Sequence, residues 1–79
     1  MDTISDRVRQ IIAEKVKLPA TSLAGELRFM EDLKATSLDT IEITMAVEDE
    51  FDVEIADADA DKLTTVGSLI EYIKAKQTA

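Results

Sequence analysis

A serine that opens an acidic, apolar stretch is the residue in this chain best placed to do chemistry. Ser37 stands directly before Leu38-Asp39-Thr40-Ile41-Glu42, where a helix begins. The first turn of a helix leaves backbone N–H groups unpaired and carries the positive end of the macrodipole, so a phosphate ester on Ser37 would sit in a favourable field. The same position suits a plain serine N-cap, the commoner use of the residue there. Few other groups compete. The chain contains no Cys and no His, which excludes thiolate nucleophiles, imidazole bases, disulfides and His/Cys metal centres. Asp57, Asp59 and Asp61 resemble the opening of a calcium loop, but its sixth position, which needs Gly, is Lys62, and its twelfth, which needs a bidentate Glu, is Ser68. No metal site is expected.

The elements that must position Ser37 follow from apolar spacing. Ile4, Val8, Ile11, Ile12 and Val16 recur at three and four, which predicts a first helix over residues 4–16, with Thr3 as its cap, Asp6 three residues on, and Pro19 as its stop. Residues 17–36 show no sustained period. Leu23, Leu27, Phe29, Met30 and Leu33 are nevertheless too apolar for a solvated loop, so this is read as a long connection packed across the core. In the second helix Leu38, Ile41 and Met45 form one stripe and Ile43, Val47 and Phe51 an adjacent one, while Asp39, Glu42, Asp49 and Glu50 fill much of the remaining circumference and Glu48 sits at the border. A short third helix is expected around residues 57–63. The last, capped by Thr64 or Thr65, turns Val66, Leu69, Ile70 and Ile73 inward and frays after Lys76. The only strand pattern is the brief run at residues 53–55. The fold class is therefore all-α: a small four-helix bundle, one domain over residues 1–79, with a long loop between helices 1 and 2.

Charge is unevenly spread. The net charge is −8, and ten acids against one base, Lys62, lie between Ser37 and Leu63. Such a field repels nucleic acid and anionic membranes and attracts partners with basic patches, unless it is merely a solubility surface. No apolar run is long enough to span a bilayer, so stable membrane insertion is not expected. The N-terminus lacks a signal-peptide pattern, and a cytoplasmic monomer is expected.

The sequences Phe29-Met30-Glu31-Asp32-Leu33, Ser37-Leu38-Asp39-Thr40-Ile41-Glu42 and Met45-Ala46-Val47-Glu48-Asp49-Glu50-Phe51, followed by Glu54-Ile55 and Lys62-Leu63-Thr64-Thr65-Val66, Ile70 and Tyr72-Ile73, resemble the acyl carrier protein family in register. The resemblance implies that Ser37 receives 4′-phosphopantetheine from coenzyme A through a phosphopantetheinyl transferase. Acyl intermediates would then be held as thioesters for fatty-acid or related lipid and polyketide enzymes, and the chain itself would not be catalytic. The sulfur missing from the sequence would arrive with the cofactor. The resemblance also implies that Asp39, Glu42, Glu48 and Asp49, with Leu38, Ile41 and Met45, meet the basic docking patches of acyl-transfer, chain-elongation and lipid-modifying enzymes. Ile43, Thr44, Ala46, Phe51, Ile55, Leu63 and Ile73 would line an acyl pocket. Two positions depart from the family: it usually carries Asp immediately before the serine and Gly three before, where this chain has Thr36 and Lys34. Thr44 replaces a common aliphatic, so its hydroxyl either makes the pocket more polar or bonds the carbonyl one turn back. An aminoacyl or peptidyl carrier, and an unmodified acidic helical interaction protein in which Ser37 is only a cap, are the alternatives.

Overall fold

The computed structural model describes residues 3–78, apart from the side chains of residues 57 and 78. Helices α1 (Thr3–Val16), α2 (Ser37–Phe51), α3 (Asp57–Ala60) and α4 (Val66–Thr78) follow in order, with a 3₁₀ turn at Ala20–Ser22. Thr3 is the first helical residue and not the expected cap, so the cap position falls outside the described residues. Val8 and Ile12 from α1, Ile43 and Val47 from α2, and Val66, Leu69, Ile70 and Ile73 from α4 meet in one core. Burying each of these aliphatic side chains contributes about 1.5–3 kcal/mol.

The long connection closes one side of this core. Leu23, Phe29, Leu33 and Ala35 are buried in it, whereas Met30 stands 52% exposed. Met30 was expected inside with its neighbours, but the chain turns at Arg28, whose carbonyl accepts from the N–H groups of both Asp32 and Leu33. That turn points Phe29 inward and Met30 out. Backbone bonds then tie the connection to the start of α4: Phe29 N–H to the Thr64 carbonyl (3.0 Å), Val66 N–H to Leu27 (3.0 Å) and Gly67 N–H to Gly25 (2.8 Å). Among the described residues the only β pairing is one antiparallel bridge between Arg28 and Thr65. Residues 53–55 form no strand, because the Val53 and Ile55 N–H groups are taken by the Glu48 carbonyl and the Glu48 carboxylate.

Thr65 caps α4, exchanging bonds with Ser68: its Oγ1 accepts from Ser68 N–H, and Ser68 Oγ accepts from Thr65 N–H, both at 3.1 Å. The helix does not fray at Lys76. It runs to Thr78, held where Gln77 Nε2 donates to the Phe51 carbonyl at 2.8 Å. A single turn, α3, is fastened to α4 by the Tyr72 hydroxyl, which donates to Asp59 at 2.9 Å.

Candidate functional site

The cap of α2 is Thr36. It has extended backbone angles, its Oγ1 accepts from Asp39 N–H at 3.1 Å, and Asp39 Oδ2 accepts from Thr36 N–H at 3.0 Å. Ser37 is therefore the first helical residue, and the reading that makes it a simple cap is corrected. Its side chain is exposed, and among the described residues no hydrogen bond engages its hydroxyl. The N–H groups of Ser37 and Leu38 belong to the unpaired first turn, so the hydroxyl stands where an anion is stabilised by both N–H donors and dipole. Lys34 holds a left-handed conformation at φ 59° and lies exposed. This position turns the chain from the buried Leu33 to the cap in a conformation that glycine adopts without strain.

Thr40, one turn on from Ser37, stands in the wall of a cleft of about 620 Å³, whose rim carries Arg28, Glu31 and Asp61. A smaller recess of about 120 Å³ shares Phe29, Thr40, Ala60, Asp61 and Leu63 with it and reaches inward to Ile43 and Leu69. Of the seven residues expected to line an acyl pocket, Ile43, Thr44 and Leu63 border this recess and the other four do not. Ala46 faces α1, beside Ile11 and Lys15. Ile55 and Ile73 are buried and Phe51 is half-buried, packed into the core itself. Helical periodicity selects inward residues but not which inward residues border space. Phe29, Ala60 and Leu69 reach the recess from other segments and Thr40 from α2, and none was among the expected lining, although Thr40 lies in helical register with Ser37. The Thr44 hydroxyl donates to the Ile41 carbonyl at 2.8 Å, so it is spent on the backbone one turn back.

On the outer face of α2, Leu38, Ile41 and Met45 are 64, 54 and 61% exposed. Glu42 and Asp49 flank that stripe on the α1 side and Glu48 on the other. Asp39 is committed to the capping box, Glu48 Oε2 accepts from Ile55 N–H at 2.7 Å, and Glu42 pairs with Lys15 at 3.1 Å. Among the described residues no partner engages the Asp49 carboxylate. Glu50, further round, pairs with Arg7 at 2.8 Å, and that hydrogen bond together with the Glu50 charge raises the guanidinium pKa. Asp59 is held by Tyr72, and among the described residues no group of three or more acids is placed to hold a metal ion. Among the described residues no helix is long and apolar enough to cross a membrane.

The helical bundle presents an unbonded serine hydroxyl at a helix start, with a cleft of mixed polar and apolar lining one turn on, an arrangement that leaves the hydroxyl open to covalent modification. The model of the phosphopantetheine attachment site family matches residues 6–73 of this chain. The chain belongs to that family. Its structure is also similar to that of an acyl carrier protein of high thermal stability from Enterococcus faecalis, 35% identical over 91% of each chain with a TM-score of 0.80. The protein is thus a non-catalytic carrier of the acyl carrier type, and its cofactor is covalent 4′-phosphopantetheine. The described residues fit that group: an unbonded hydroxyl, two unpaired N–H donors for a phosphodiester, and a cleft one turn away.

Proposed function

We propose that Ser37 is the attachment residue and that the chain carries acyl intermediates of fatty-acid or related lipid or polyketide synthesis. The observation that carries this reading is the division of labour at the start of α2. Thr36 performs the capping, which leaves the Ser37 hydroxyl free for a transferase to esterify. The cofactor, when bound, supplies the thiol on which a thioester forms. The protein's own residues do the rest. The first turn of α2 stabilises the phosphodiester charge. The recess bordered by Ile43, Thr44 and Leu63, with Phe29 and Leu69, shelters the start of an apolar chain from water. Leu38, Ile41 and Met45, flanked by Asp39, Glu42, Glu48 and Asp49, dock partner enzymes through an apolar centre with a charged rim.

Incubation with coenzyme A, magnesium and a phosphopantetheinyl transferase is expected to raise the intact mass by roughly 340 Da, the tether that brings the missing sulfur. Ser37→Ala abolishes the gain while leaving the helix content unchanged. A gain that survives Ser37→Ala would place the tether elsewhere.

A further inference from the structure

Two cations of α1 reach across to acids of α2. Arg7 meets Glu50 at 2.8 Å and Lys15 meets Glu42 at 3.1 Å, in antiparallel register, with Ile11 and Ala46 in the groove between the pairs. The pairs differ in what they control. Glu50 lies away from the exposed stripe, whereas Glu42 stands three residues before Met45 and four after Leu38, so helical geometry sets it at the edge of the stripe. Asp39 and Glu48 accept from neutral backbone N–H groups, and among the described residues no cation pairs with either. Among the described residues, Glu42 is the one acid bordering the stripe that a cation already neutralises.

We propose that Lys15 competes with the basic side chains of partner enzymes for Glu42, so that docking on α2 requires α1 to release it. The proposal rests on the docking role given to α2 above. Both side chains of the pair are more than a third exposed, so water screens the attraction and the bond exchanges readily. An ammonium offers one compact, strongly hydrated charge, while a guanidinium bonds a carboxylate through two parallel N–H groups. The partner that displaces Lys15 therefore presents an arginine beside an apolar patch.

A double-mutant cycle tests this, with kcat/KM for modification by a phosphopantetheinyl transferase measured at low ionic strength. Lys15→Met is expected to raise kcat/KM roughly two- to fivefold, the scale of an exposed ion pair. In the Glu42→Gln background the same change is expected to have no effect, because nothing is left to compete for. An equal rise in both backgrounds would be a bulk charge effect and would overturn the proposal, as would no rise in the otherwise native chain. A chain that no transferase modifies overturns the attachment reading itself, and the competition with it.

Discussion

At residues 36–39, three neighbouring side chains leave one hydroxyl exposed. Thr36 caps, Asp39 closes the box from the third position, and Ser37 is left free. An Asp at position 36, as is usual in the family, could accept the same N–H bond, so Thr36 keeps the geometry and changes only the local charge. Thr36→Ala should therefore destabilise the fold by about 1 kcal/mol, the usual cost of losing a cap. For a domain of this size that lowers Tm by roughly 4–8 °C in a thermal melt, while Thr36→Asp holds Tm close to the starting value. Lys34 makes the opposite case. A residue with a Cβ at φ 59° carries roughly 1–2 kcal/mol of left-handed strain, and the greater backbone freedom of Gly in the unfolded chain offsets about 0.5–1 of that. Lys34→Gly should raise stability by roughly 0.5–1 kcal/mol, and a lower Tm would show that the Lys34 side chain makes a stabilising contact the strain argument omits.

At the scale of elements, the apolar spacing marked α1, α2 and α4 and the inward set Val66, Leu69, Ile70 and Ile73, because their stripes have polar surroundings. For α2 it could not choose between its two apolar stripes. Ile43 and Val47 proved buried, whereas Leu38, Ile41 and Met45 face water, and only the packing of α1 and α4 against one side decides that. The recess was legible in Ile43, Thr44 and Leu63 and illegible in Phe29 and Leu69, which arrive from other segments through long-range folding. The tie between the long connection and α4 was also invisible in sequence, since it is made by backbone. Gly67 is essential to it: a Cβ there would lie 2.9 Å from the Gly25 carbonyl oxygen and 3.3 Å from its Cα. Ala gains about 1 kcal/mol of helix propensity over Gly, but the clash is with backbone that no rotamer change relieves, at about 1–3 kcal/mol. It also strains the 2.8 Å bond from Gly67 N–H, which contributes about 0.5–1.5 kcal/mol. Gly67→Ala should therefore lose roughly 1–2 kcal/mol net, seen as a lower urea midpoint at unchanged slope. An unchanged midpoint would mean that the connection moves aside freely.

Across the whole molecule, charge sets both solubility and encounter. Ten acids against one base between Ser37 and Leu63 repel one another in the folded state, and the exposed pairs Arg7–Glu50, Lys15–Glu42 and Arg28–Glu31 return at most about 1 kcal/mol each. The net negative charge of this stretch predicts that added salt or millimolar divalent cation raises Tm by screening the repulsion, while slowing partner association. A Tm indifferent to both would show that this repulsion does not limit stability. The proposed attachment converges on one oxygen atom, the Ser37 hydroxyl, and tandem mass spectrometry of the protein isolated from the cells that make it examines that atom directly. A phosphopantetheine-sized increment is expected on the peptide fragment containing Ser37, localised to that residue. A fully expressed, folded chain whose Ser37 fragment carries no increment would contradict that attachment.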